Sequence, residues 1–297
     1  MSNEAVRLGE VLRRHGLRLK KGLGQNFLAD PVHLDRIVAA AELTPDDVVL
    51  EIGPGVGTLT VRLARQAGRV VAVELDAALL PVLAETLAGQ SNVTVVQGDI
   101  LELTPSELVG KNDQWSTVND QLSTGRSGGA TTGYKVVANL PYYITSAAIR
   151  HLLTADLPPE LIVLTIQREV AQRIVAQPPD MSLLAVSVQY YAEPKLVARI
   201  PAGTFYPPPK VDSAIIRLRK WATPPVDAPS DDLFFQVARA GFGQRRKQLR
   251  NSLGSGLSIG GDAADSLLAA AGIESTRRAE TLTLAEWAAI ARARQSD

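Results

Sequence analysis

Residues 48–64, VVLEIGPGVGTLTVRLA, constrain the fold more than any other stretch of the chain. A short β-rich run leads straight into Gly53, Gly55 and Gly57 and then into an apolar helical repeat, giving the strand, glycine turn and helix of a nucleotide-type loop. Comparable runs follow: RVVAVEL ending at Glu74, VTVVQGD ending at Asp99, KVVANLP stopped by Pro141, and LIVLTIQ at 161–167. Their β-branched density is that of buried parallel strands. Weaker runs at about 195–200 and 213–219 bring the count to seven, so the chain is expected to form a seven-stranded α/β sheet.

Open α/β sheets bind ligands beyond the carboxyl ends of their strands, and here the chemistry-bearing residues sit at successive strand ends. The glycines follow GxGxG spacing, not the GxGxxG of dinucleotide sites. No GxxxxGK[ST] occurs and no lysine follows the loop, so nothing is made for phosphates. Glu74 lies 21 residues after Gly53, where an acid can hold both ribose hydroxyls of an adenosine. Asp99 is placed either to accept from an adenine amine or to serve as an ordinary loop acid, and Glu51 sits on the strand just before the turn. An adenosyl ligand without a pyrophosphate fits this set. S-adenosylmethionine is such a ligand, and its enzymes commonly pair GxGxG with an acid at the end of the second strand.

The segment 139–145, NLPYYIT, is the expected working centre. The Asn139 amide oxygen and the Leu140 carbonyl can accept both hydrogens of an exposed adenine amine, Pro141 ends the strand, and the Tyr142 ring can stack on the base. The bland alternative is a strand ending in a Pro-Tyr turn. Downstream, Pro207, Pro208 and Pro209 stiffen the chain beside Phe205. That ring is either a second wall for the base or part of a rigid hairpin connection.

The 297 residues suit one large domain and a small one: 1–221 for the sheet, a Pro-rich linker at 222–230, and a helical domain at 230–297. The segment 104–134 reads as a flexible insertion, disordered over 111–133. Asp30 and Pro31 make a helix start, and SLLAVSVQYY is ambiguous by period and placed as a helix. In the C-terminal part, FFQVARAGF and RRKQLRNSL are amphipathic pieces, GSGLSIGGD reads as a flexible connection, and Thr283 with Glu286 forms a capping box.

There are no cysteines, and the three histidines are too scattered to pair as ligands, so no metal is expected. Neither a signal peptide nor an apolar run of membrane-spanning length is found, which predicts a cytoplasmic protein without membrane contact. The net charge is zero, but the charge is uneven. Residues 1–30 carry Arg7, Arg13, Arg14, Arg18, Lys20 and Lys21 against three acids, and residues 239–250 carry Arg239, Arg245, Arg246, Lys247 and Arg250 with none. Arg245, Arg246, Lys247 and Arg250 are the expected contacts to RNA phosphates.

With these residues in view, the chain closely resembles the adenine dimethyltransferases of small-subunit ribosomal RNA, the bacterial KsgA family and its eukaryotic relatives. The resemblance runs over nearly the whole length and rests on GQNFL at 24–28, EIGPGVGTLT at 51–60, VELD around Glu74, QGD at 97–99, NLPYYIT, FYPPPKVDSA at 205–214 and QRRKQLRNSL at 244–253. It implies a seven-stranded Rossmann-like class I methyltransferase sheet, its last strand antiparallel, with a small C-terminal all-helical domain. It implies that S-adenosylmethionine is held by Asn26, Leu28, Gly53, Glu74, Asp99 and Asn139, with Gln25, Gly55, Leu75 and Ile100 in the same motifs, and that Asn139, Leu140, Pro141, Tyr142 and Phe205 form the catalytic group. The implied reaction is dimethylation of the exocyclic amine of two adjacent adenosines near the 3′ end of small-subunit ribosomal RNA. The implied partner is an immature ribosomal subunit, met by a monomer. The insertion after Leu103 is longer than expected for the family. Two alternatives remain: a large-subunit adenine methylase of the macrolide-resistance type, expected to be more basic, and a non-catalytic assembly factor, which the intact Asn139–Tyr142 stretch opposes.

Overall fold

The computed structural model describes residues 3–17, 20–110 and 133–295. Helix α1 (Asn3–Arg14) and the two-residue strand β1 (Phe27–Leu28) precede α2 (Pro31–Ala40). As expected, Asp30 caps α2 by accepting from the His33 N–H at 3.0 Å, with Pro31 at the first helical position. Strand and helix then alternate through β2 (Val48–Ile52), α3 (Thr58–Ala64), β3 (Arg69–Glu74), α4 (Leu80–Thr86), β4 (Val93–Gln97), α5 (Pro105–Gly110), β5 (Lys135–Asn139), α6 (Thr145–Leu153) and β6 (Leu161–Gln167). Helices α7 (Arg168–Ile174) and α8 (Leu183–Tyr191) lead to β7 (Ala192–Ile200), β8 (Phe205–Tyr206) and β9 (Ser213–Lys220). The chain ends in α9 (Asp231–Phe242), α10 (Leu249–Gly256), α11 (Gly260–Ala270) and α12 (Leu284–Gln295).

The seven-stranded sheet has the order β4-β3-β2-β5-β6-β9-β7. The pairs from β4 to β6 are parallel and β9 runs antiparallel to β6. Val49, Leu50, Val70, Val71, Val136, Val137, Ile162 and Val163 are all buried, so these strands show no polar alternation. Burying each such side chain contributes about 1.5–3 kcal/mol. A one-residue slip would therefore be costly, and the register that sets Asn139 opposite Thr165 is held firmly. Strand order reverses between β2 and β5, which places the ligand crevice at their carboxyl ends. Among the described residues, no helix is long and apolar enough to cross a membrane, and no group of three or more His, Cys, Asp or Glu could hold a metal ion.

By internal contacts the chain forms two units, Met1–Ala171 with Lys195–Lys220 and Gln172–Pro194 with Trp221–Asp297. Residues 172–194, expected within the sheet domain, thus belong with the C-terminal helices. Their apolar residues are the reason. Met181, Ala185, Val186 and Tyr190 share a core with Phe234, Val237, Leu253 and Trp287; the Tyr190 ring stacks on Phe234 at 4.3 Å, and Asp231 accepts from the Tyr190 and Tyr191 hydroxyls at 2.8 and 3.0 Å.

Two local expectations need correction. GSGLSIGGD is not a flexible connection: it ends α10 and starts α11, and Gly254 and Gly256 serve close packing. A Cβ on Gly254 would lie 2.7 Å from the Gly260 carbonyl oxygen, and one on Gly256 would lie 2.7 Å from the Ala240 Cα. The expected flexible insertion begins as helix α5, because Leu108 and Val109 are buried and the Arg69 guanidinium donates to the Val109 carbonyl at 3.0 Å. The rest of that expectation, over 111–132, lies outside the described residues. The Thr283–Glu286 capping box is formed, with bonds of 2.7 Å from the Thr283 N–H to the Glu286 carboxylate and 3.2 Å from the Glu286 N–H to the Thr283 hydroxyl.

Candidate active site

The ends of β2, β3 and β5 converge on the loop 24–28. Gly53, Gly55 and Gly57 all take positive φ, at 68°, 62° and 86°, so the chain turns sharply from β2 into α3. Gly55 has a second reason to lack a side chain: a Cβ would lie 2.6 Å from the Phe27 ring. Around Gly53 no atom comes within 4 Å of that position, which leaves open space beside the turn.

Glu74 ends β3 with its carboxylate buried and aimed at the glycine loop. It accepts from the Gly55 N–H at 3.1 Å and from the Asp76 N–H at 2.8 Å, one bond to each oxygen. Burial pushes its carboxyl above the usual range, and the two main-chain bonds oppose that push. Leu75, beside it, is 44% exposed, unusual for a leucine at a strand end. Asp99 follows β4 and accepts from the Leu101 N–H at 2.9 Å in an Asx-type turn, with Ile100 buried behind it.

The loop 24–28 is tied down by side chains on each side of the crevice. Gln25 donates to Asp76 at 2.8 Å and accepts from the Lys20 N–H at 2.8 Å, while the Lys20 ammonium pairs with Asp76 at 2.7 Å. Burial works against the Asp76 charge, but the Lys20 and Gln25 bonds outweigh it and hold the carboxyl below its ordinary range. The Asn26 carbonyl accepts from the Asn139 amide nitrogen at 3.0 Å, and Leu28 pairs with Phe205 in the small β1–β8 ribbon. Asp76 was not singled out by sequence reasoning, and Lys20 was read only as one of the N-terminal basic residues. Asp76 was nevertheless visible as the second acid of VELD, two residues after Glu74.

At the end of β5, the donor bond to Asn26 fixes the Asn139 amide and turns its oxygen away from that partner, leaving it to accept from another molecule. The Leu140 N–H is held by the Thr165 carbonyl at 3.2 Å, and Pro141 leads into a single tight turn, Tyr142–Ile144. The half-buried Tyr142 shares a hydrogen bond of 2.6 Å with the Ser213 hydroxyl. Of the two readings of Phe205, the buried ring of a rigid connection is the one found: it pairs with Leu28, shares a core with Leu34 and Ile215 and is 4% exposed, so it is not an open second wall for the base.

The expected RNA contacts divide as well. Arg245, Arg246 and Lys247 lie in the exposed turn between α9 and α10, without an ion-pair partner among the described residues. The Arg250 guanidinium is instead committed to Asp262 at 2.8 Å and Asp265 at 2.7 Å, although its Nε is poorly directed at the latter, and it braces α10 against α11. Of the N-terminal basic residues, Arg14 pairs with Glu85 at 2.6 Å and Lys20 serves the loop; Arg18 lies outside the described residues.

Glu51 gives a testable pH effect. Burial pushes its carboxyl up to about 8, Glu74 adds to this, the nearby Thr60 hydroxyl opposes it, and one carboxyl oxygen has no partner. Between about 4.5 and about 8 the folded chain keeps this proton while the unfolded chain releases it, so stability falls as pH rises through that window. Glu51→Gln removes the titration, and its stability relative to the wild type should rise by about 1.4 kcal/mol per pH unit there. Thermal melts at the two ends of the window check this; a constant gap between the proteins would contradict it.

The chain is similar to several known proteins. The family model for ribosomal RNA adenine dimethylase matches residues 16–293. The ribosomal RNA small subunit methyltransferase A of Pelotomaculum thermopropionicum is 47% identical over 285 residues, 95% of this chain and 93% of that protein. Among solved structures, the 23S rRNA methyltransferase ErmE is similar with a TM-score of 0.68 and 28% identity, covering 90% of this chain and 99% of that one. A dimethyladenosine transferase from Plasmodium falciparum shares the fold, with a TM-score of 0.67 at 23% identity over 89% of this chain and 95% of that one.

Proposed function

The chain belongs to the ribosomal RNA adenine dimethylase family, and from that premise we propose that it dimethylates the exocyclic amine of adenosines in small-subunit ribosomal RNA, two adjacent ones near the 3′ end, on an immature subunit and as a monomer. The observation that carries this reading is the fixed Asn139 amide, whose nitrogen is spent on the Asn26 carbonyl and whose oxygen is left as an acceptor at the carboxyl edge of the sheet. The likeness to a 23S rRNA methyltransferase keeps the large-subunit alternative in view, but 28% identity there stands against 47% to a small-subunit enzyme.

S-adenosylmethionine, the methyl donor of this family, supplies an electrophilic methyl group on a sulfonium. The residues present suit it. Each Glu74 oxygen keeps a lone pair for a ribose hydroxyl after its main-chain bond, Leu75 offers apolar surface for a base, Asp99 lies at the adenine end, and Gly53 leaves room beside the turn. Gln25, Asn26 and Leu28 hold the covering loop, and Ile100 supports the adenine end from the core.

The target amine is a poor nucleophile because its lone pair is delocalised into the ring. Asn139 Oδ1 and the Leu140 carbonyl accept its hydrogens, draw the nitrogen toward tetrahedral geometry and aim the lone pair out of the base plane. No strong base is required, since the amine proton becomes acidic only as the new bond forms. Stacking on Tyr142 contributes about 1–3 kcal/mol, comparable with the few kcal/mol needed to unstack the base from RNA. After one methyl is added the amine keeps a single hydrogen, which still reaches one of the two acceptors for the second transfer.

Arg245, Arg246 and Lys247 contact phosphates and carry no base specificity. Reversing all three charges should weaken RNA binding steeply and lower the slope of log affinity against log salt by about two to three. A salt titration with an unchanged slope would show that the turn is only surface. Mass mapping of methylated adenosines in small-subunit RNA, from cells with and without the gene, tests the reaction itself. Loss of dimethyladenosine without the gene is expected, and an unchanged pattern would sink the assignment.

A further inference from the structure

The Tyr142 hydroxyl is not needed for stacking, which a phenylalanine ring would do as well. Its partner is Ser213, 0% exposed and the first residue of β9. Because β9 runs antiparallel to β6, its first residue lies at the carboxyl edge of the parallel strands, opposite Gln167. Ser213 is held through its neighbour and its strand: the Asp212 carbonyl accepts from the Arg168 N–H at 3.0 Å, the Asp212 carboxylate accepts from the Ala202 N–H at 3.0 Å and from Arg199 at 2.6 Å, and Ser213 pairs with Gln167 in the sheet. Tyr142, by contrast, stands on a single turn without a side-chain cap, next to the 58% exposed Tyr143. The rigid partner is the serine, and the group in need of support is the ring.

We propose that Ser213 is a positioning residue for methyl transfer: its hydroxyl holds the tip of Tyr142 at 2.6 Å, fixes the direction of the ring's long axis, and so sets the plane in which the target adenine lies against Asn139. The inference rests on the reading of Tyr142 as the stacking surface. It assigns the buried start of the antiparallel strand to substrate alignment, through another residue and without touching the base. Alignment matters more for rate than for binding, because small displacements of reacting atoms are costly in the transition state.

The test compares Tyr142→Phe, Ser213→Ala, the double variant and Tyr142→Ala. The readouts are single-turnover rate on small ribosomal subunits at saturation, RNA affinity, and S-adenosylmethionine affinity. Tyr142→Phe and Ser213→Ala should each slow the reaction about tenfold with both affinities within about twofold, and the double variant should be no slower than either single one. Tyr142→Ala should be slower still. If Tyr142→Ala is impaired while the other variants react at the wild-type rate, the stacking reading survives and this inference falls. Effects that multiply in the double variant also overturn it, and a wild-type rate in Tyr142→Ala removes both readings. Should Ser213→Ala lose the fold, the rate of Tyr142→Phe, which removes a single oxygen, decides alone.

Discussion

Asn139→Ala should leave a folded protein that binds RNA and transfers no methyl groups on the timescale of the wild type, with a rate loss of at least about a hundred- to a thousandfold, as for removal of a single oriented polar group at a reacting centre. The side chain has two separable duties. Its nitrogen holds the Asn26 carbonyl, a bond whose loss costs about 1 kcal/mol and leaves the seven-stranded sheet intact. On the proposed mechanism its oxygen accepts one hydrogen of the target amine, and the Leu140 carbonyl, which takes the other, cannot replace it. Asn139→Asp is the sharper comparison: a carboxylate accepts but cannot donate to Asn26, so the acceptor would be kept and its orientation lost. Single-turnover rates within tenfold of the wild type for Asn139→Ala would remove the amide from the chemistry.

Glu74→Ala should weaken S-adenosylmethionine binding by about ten- to a hundredfold for each ribose hydrogen bond lost. The same change strips two buried main-chain donors, Gly55 and Asp76, of their acceptor, so a further loss of about 1–3 kcal/mol of stability per donor is expected. Glu74→Gln separates the two effects, since the amide retains one acceptor oxygen and the shape of the side chain. Calorimetry that finds wild-type affinity in Glu74→Ala would overturn the ribose assignment, whatever the melting point.

What was legible in the sequence was local. The β-branched runs, the glycines at positive φ and the acids closing successive strands each declare themselves within a few residues, and the strand ends they mark come together as expected. Asp30 and Thr283 announced their helix starts in the same way. What was missed depends on partners far along the chain. Gln25, Lys20 and Asp76 are joined across more than 50 residues, and Ser213 meets Tyr142 across 71. Glycine misled in the helical unit, where Gly254 and Gly256 permit close contact and Gly260 takes the positive φ between two helices. For Phe205 the proline run left a displayed and a buried ring equally open, and only the pairing of β8 with β1 decides between them. Arg250 was indistinguishable from its basic neighbours until Asp262 and Asp265 were placed beside it.

On the proposed mechanism the site built around Asn139 adds two methyl groups to one amine of small-subunit RNA. Purified protein, S-adenosylmethionine and separated small and large ribosomal subunits from cells lacking the gene, followed over a single turnover by mass analysis of nucleosides, test it directly. The expected result is monomethyladenosine that appears and is consumed as dimethyladenosine accumulates, confined to the small subunit. Methylation of large-subunit RNA, or a reaction that stops at one methyl, would contradict it.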